Sequence, residues 1–175
     1  MKAVVVAPGE GRFIPVGSGG TGVMVKASED ETGGLCSVWE GRVAPGMVGA
    51  SPHHHQSRDE FFYILDGELE LRVGEETQTA GAGTFAFIPR GTIHGFRNAS
   101  NDSATLLVMH HPAGFERFFD EVQQQVARHA GKDEMAALAA RFDLIPAPVL
   151  VRPAIPRDKT KARLNRREYL RVGRA

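Results

Sequence analysis

Along the first hundred and ten residues, short apolar runs alternate with clusters of turn-forming residues. The runs 4–7, 23–26, 36–42, 60–65, 68–73, 84–88 and 105–109 are rich in β-branched, aromatic or aliphatic side chains. Between them lie Pro8-Gly9, Gly33-Gly34, Pro45-Gly46, Asp66-Gly67 and the stretches 81–83 and 98–103. Runs of strand length bounded by Gly, Pro, Asn and Asp predict strands joined by turns. Asp66-Gly67 between two such runs predicts a hairpin, because glycine reaches positive φ without steric cost. Many short strands without intervening helices predict a sandwich or a closed barrel, so the expected fold class is mainly all-β.

Beyond residue 112 the period changes. Phe115, Phe118, Phe119, Val122 and Val126 recur at helical spacing, with Gly131 as the C-cap. Asp133 is placed to cap a second helix with Met135, Leu138, Ala139 and Phe142 on one face, stopped by Pro146 and Pro148. Both stripes predict packing surface, against the barrel or against a second subunit. The expected organisation is a barrel over 1–112, a helical extension over 113–145 packed on it, and a basic tail over 146–175.

Composition fits this picture. The 175 residues are 42% hydrophobic and 24% charged, ordinary for one globular domain with an appendage. Twenty glycines and ten prolines agree with a turn-rich chain. The formal net charge of zero hides an asymmetry: residues 151–175 hold nine Lys and Arg against two acids. The remainder carries the opposite surplus, so the tail is expected to lie against the acidic body of its own barrel or a partner's. No aromatic platform or nucleic-acid motif accompanies the charges, and no nucleic-acid partner is expected. The lone Cys36 excludes an internal disulfide framework and is expected as core filler beside Trp39. The run 3–7 is short for a signal-peptide core and no run is long enough to span a membrane, so cytoplasmic residence without membrane association is expected.

The chemistry concentrates in two stretches. Ser51-Pro52-His53-His54-His55 leads to Glu60 and Gly67. Histidines at i and i+2 on an extended segment point to one side, so His53 and His55 can converge on one ion while His54 faces away. Glu60 follows after enough chain for a bend and a return. In the second stretch, 83–98, a strand ends at Pro89, Gly91 makes a tight turn, and the next strand presents His94. Three imidazoles and one carboxylate suit a single divalent metal such as Fe, Ni, Mn, Cu or Zn.

These stretches resemble the cupin superfamily. Its first motif, G-x5-H-x-H-x(3,4)-E-x6-G, is matched by His53, His55, Glu60 and Gly67, with Gly46 one residue further upstream than the pattern expects. Its second, G-x5-P-x-G-x2-H-x3-N, is matched at every position from Gly83 to Asn98. The resemblance implies a double-stranded β-helix, a jelly-roll barrel, with the metal inside its mouth on His53, His55, Glu60 and His94. The segment 111–119 with the later helix also resembles the C-terminal extension of bacterial quercetinase-like cupins. That likeness implies a dioxygenase acting on a small aromatic or polyketide-like substrate, with Glu60 doubling as catalytic base. Two other classes stay open: a non-redox isomerase, cyclase, lyase or decarboxylase using the metal as Lewis acid, and a non-catalytic small-ligand-binding protein.

Other residues receive plainer expectations. His110 and His111 are read as strand-end or rim positions, His129 as structural at a helix end, and Tyr63 and Arg90 as rim or packing positions. Phe62, Ile64 and Phe96 share the faces of Glu60 and His94, and Phe85 and Phe87 share one face of their strand. Either an aromatic-lined substrate pocket or ordinary barrel filling accounts for them. A jelly roll also presents sheet edges and an apolar outer face, so a homodimer is expected.

Overall fold

A computed structural model of the chain describes residues 3–16 and 22–147. Eleven strands and three helices are present among them: β1 (Arg12–Pro15), β2 (Gly22–Ala27), α1 (Glu29–Thr32), β3 (Ser37–Val43), β4 (Val48–His54), β5 (Asp59–Asp66), β6 (Glu68–Val73), β7 (Glu76–Gly81), β8 (Phe85–Ile88), β9 (His94–Arg97), β10 (Ala104–His111), α2 (Glu116–Ala127), α3 (Lys132–Arg141) and β11 (Ile145–Pro146). They form a six-stranded sheet, β1-β2-β3-β10-β5-β8, and a five-stranded sheet, β11-β4-β9-β6-β7. All pairings are antiparallel. The fold is a mainly β jelly-roll barrel with a small helical part after β10.

The core follows from alternation. Phe62 and Ile64 on β5, Leu69 and Leu71 on β6, and Leu106 and Val108 on β10 are all buried at intervals of two. Register matches them across strands: Leu106 faces Ile64 and Val108 faces Phe62. Each such side chain removed from water contributes roughly 1.5–3 kcal/mol before entropy is counted. Continuing the same ladder one step brings His110 opposite Glu60.

The pair Asp66-Gly67 does not make a hairpin. β5 and β6 belong to different sheets, so this turn carries the chain across the barrel. Gly67 is needed there for two reasons: its φ is 72°, and a Cβ would sit 2.7 Å from the Ser103 carbonyl oxygen. The hairpin lies one strand later, where β6 turns into β7 and Val73 pairs with Glu76. The run 4–7 forms no strand, and Val5 is exposed; β1 instead pairs with β2, and Arg12 bonds Asp120 of α2 at 2.6 Å.

The helices pack along most of their stripes, although Val126, expected on the packed face, is exposed. Phe115, Phe119 and Val122 are buried, and Phe119 meets Trp39 edge-on with ring centroids 4.9 Å apart. The second helix starts earlier than Asp133 suggests: Gly131 precedes it in extended conformation and donates its N–H to Glu134 at 2.8 Å. It ends at Arg141, well before the prolines, and residues 145–146 return to the sheet as β11. Cys36 is half-buried, with Ser37 and Trp39 taking the core positions. The tail 151–175 lies outside the described residues. No helix among the described residues is long and apolar enough to cross a membrane.

Candidate metal centre

A strand pair on one sheet and a single strand on the other supply the site. On one sheet, His53 of β4 pairs directly with His94 of β9. On the other, Glu60 of β5 faces inward from the start of its strand. His55 follows β4 and is fixed by the second motif, because Gly91, at φ 81°, donates its N–H to the His55 carbonyl at 2.6 Å. The ligating atoms of His53, His55, Glu60 and His94 lie within 4.8 Å of one another. All four residues are buried, between 1% and 5% exposed. The structure thus brings together the four residues singled out in the sequence. His54 stays outside the cluster, half-buried and paired with Ile145 of β11.

Backbone carbonyls fix the imidazole tautomers. The Nδ1 of His53 lies 2.8 Å from the Ser51 oxygen, that of His94 2.9 Å from Thr92, and that of His55 2.7 Å from Asp143. A carbonyl only accepts, so each Nδ1 carries a proton and each Nε2 is left free to offer a lone pair inward. The Nε2 of His55 is buried with no hydrogen-bond partner among the described residues. That of His94 sits 2.6 Å from Oε2 of Glu60, so two acceptors approach closely and a proton or a metal cation must lie between them.

The electrostatics agree. Burial and the neighbouring His94 push His53 down to about 4, keeping it neutral. Burial opposes charge on His94, but the hydrogen bond and charge of Glu60 outweigh it and raise its pKa. Burial likewise opposes ionisation of Glu60; His110, His55 and His94 outweigh it and hold the carboxyl well below its usual range. An ionised oxygen and three nitrogen lone pairs fit a borderline divalent metal, which would be held by Nε2 of His53, His55 and His94 and Oε2 of Glu60.

Three neighbours went unrecognised in the sequence. His110 is not a rim residue: it is fully buried, its Nδ1 accepts from Trp39 Nε1 at 3.3 Å, and its Nε2 lies 3.3 Å from Oε1 of Glu60. The alternation through Leu106 and Val108 points to it. Arg58 lies just before β5, its Nε and Nη1 are buried with no hydrogen-bond partner among the described residues, and its guanidinium lies 5.6 Å from the Phe115 ring centroid. Phe115 itself stacks on His110 at 4.1 Å and meets His55 edge-on at 5.2 Å, so the residue just before α2 packs against the centre.

The aromatic wall is smaller than the sequence suggests. Phe62 and Phe96 are buried beside the site, with Phe62 5.8 Å from the His94 ring. Phe85 and Phe87 are exposed on the outer face, because Ala86 and Ile88 take the inward positions of β8. Asn98 is buried too, but it clamps a loop, donating to the carbonyls of Val43 and Asp102 and accepting from Ser100.

Residues 39–110 match the family model described as Cupin domain. An uncharacterized protein of Aquifex aeolicus is 39% identical over 57 residues, 33% of this chain and 47% of the relative. The chain spans about half the length of the curated relatives it matches. Among solved structures, KdgF from Halomonas sp. superposes with a TM-score of 0.56 at 17% identity, covering 67% of this chain and 99% of that one. A predicted oxalate decarboxylase from Thermotoga maritima gives 0.51 at 21% identity, covering 54% and 82%. At these identities the likeness is one of fold.

Proposed function

We propose that this chain, whose residues 39–110 match the cupin domain model, is a cytoplasmic, metal-dependent enzyme, an oxidoreductase that uses dioxygen on a small aromatic or polyketide-like substrate. The observation that carries this reading is the buried set of His53, His55, Glu60 and His94 within 4.8 Å. Fold alone does not choose among chemistries, so the reading rests on the site. A divalent metal held there supplies Lewis acidity and, for iron, nickel, copper or manganese, redox chemistry.

The protein's own part is positional. The three histidines present lone pairs from rings already oriented by carbonyls. Glu60 carries the negative charge and takes the proton of a substrate hydroxyl brought within hydrogen-bond reach. Phe62, Phe96 and Phe115 keep water from the surroundings of the site. Because the donors are almost fully covered, substrate entry requires part of that cover to move.

A second reading is a non-redox lyase or isomerase acting on a carboxylate. The buried nitrogens of Arg58, just before β5, which have no hydrogen-bond partner among the described residues, favour an anionic substrate group. Anaerobic loading with each metal, followed by oxygen-uptake assays over a phenolic panel, separates the two. Oxygen consumption with a redox metal, lost in Glu60→Gln, supports the first; turnover without oxygen use, zinc included, supports the second.

A further inference from the structure

His110 is the buried polar group that the proposed ligand set leaves without a task. It is fully buried, so its two nitrogens need partners from the protein. Indole Nε1–H can only donate, so the 3.3 Å contact from Trp39 requires a bare Nδ1 on His110. The ring's proton is therefore on Nε2. That atom is buried with no hydrogen-bond partner among the described residues, and the carboxylate oxygen it approaches is Oε1 of Glu60, at 3.3 Å. A proton on Nε2 also bars His110 from serving as a fifth ligand. Stacking of Phe115 on the ring, with planes 21° apart, holds it in this orientation.

Glu60 is consequently addressed differently at its two oxygens. Oε2 lies 2.6 Å from His94 Nε2 and 3.3 Å from His55 Nε2, among the metal donors. Oε1 lies 3.3 Å from Nε2 of His110, close enough for a small shift of either group to make a hydrogen bond. We propose that His110 is a positioning residue that restricts Glu60 to one-oxygen ligation through Oε2, tethering Oε1 while the other oxygen is free to bind metal or receive a proton. The relay runs from Trp39 on β3 through His110 on β10 to Glu60 on β5, three adjacent strands of one sheet. Cross-strand pairing of His110 with Glu60 sets it in register before any metal binds. This inference rests on the metal reading above, but not on the identity of the reaction.

The test uses full-length protein loaded with cobalt(II), without substrate. Infrared difference spectra report the separation of the carboxylate stretches, and visible absorption reports coordination number. Wild type is expected to show one-oxygen carboxylate ligation. His110→Leu is expected to shift both signatures toward two-oxygen ligation and to weaken cobalt binding about 10–100-fold, the range for lost outer-shell partners. His110→Gln, whose amide can accept from Trp39 and donate to Oε1, is expected to keep the wild-type signature. Trp39→Phe frees the tautomer and should fall between, which keeps the test alive if His110→Leu does not fold. A wild-type signature in both His110→Leu and Trp39→Phe would overturn the inference while leaving the metal site intact. Absence of cobalt binding in the wild type would instead remove the metal reading itself.

Discussion

The main-chain oxygen of Asp143 accepts the Nδ1 proton of His55 at 2.7 Å, so a residue just beyond α3 sets the tautomer of a barrel ligand. Asp143 adopts φ 61°, uncommon for a residue with a Cβ. Its carboxylate holds that conformation by accepting from the N–H groups of Gln56 and Ser57 and from the Ser57 hydroxyl, at 2.9, 2.7 and 2.6 Å. Burial opposes ionisation of this carboxyl, yet those donors outweigh it and lower its pKa. The segment after α3 and the loop after β4 are thereby locked around His55.

Asp143→Ala is expected to relax that lock and weaken metal binding by about 10–100-fold, as other outer-shell losses do. Asp143→Asn, which keeps an acceptor, should lose less. Calorimetric titration of both variants with one metal measures the effect. Equal affinity in wild type and Asp143→Ala would show that the clamp does not reach the site.

Asp59 and Arg90 join β5 to the turn after β8, and the pH dependence of this pair has a definite sign. The Arg90 side chain and backbone N–H hold the Asp59 carboxyl down to about 2, against an ordinary value of 3.8. A depressed folded-state pKa contributes stability that is complete above the unfolded value and is lost as pH falls through the folded one. The difference in melting temperature between wild type and Asp59→Asn should stay level from pH 7 to about 4 and close as pH approaches about 2. A gap that closes near neutrality would contradict the assignment.

Self-association is the third expectation. β8 is an edge strand, and Phe85, Phe87, Tyr63 and Leu65 are exposed on the outer face beside it, with Phe61 packed against Phe87 at 4.9 Å. An open edge flanked by large apolar groups suits pairing with a second copy. Light scattering should give a dimer mass for the wild type and a monomer mass for the double variant Phe85→Glu, Phe87→Glu. A monomeric wild type would defeat the claim.

Much of this architecture is legible in the chain because period and spacing carry it. His53, Glu60 and His94 fall where a two-residue period and two glycine turns point them inward, and α2 shows its stripe plainly. What escaped depends on partners distant in sequence. The role of Gly67 is visible only once β5 and β6 are known to lie in different sheets. The histidines of β4 and β9 are legible as extended, but nothing local shows that the two strands pair and set His53 against His94. His110 looked like a strand end because Pro112 follows it; the register with Glu60 shows otherwise. Asp143 lies 88 residues from His55, and no local pattern links them.

The central claim is that His53, His55, Glu60 and His94 hold one metal ion, and elemental analysis tests it most directly. Chelator-stripped protein, reloaded with a single divalent metal and desalted, should retain one ion per chain. His94→Ala should lose nearly all of it, whereas His54→Ala, whose side chain lies outside the cluster, should keep it. No retained metal in the wild type, or equal retention by His94→Ala and wild type, would contradict the account.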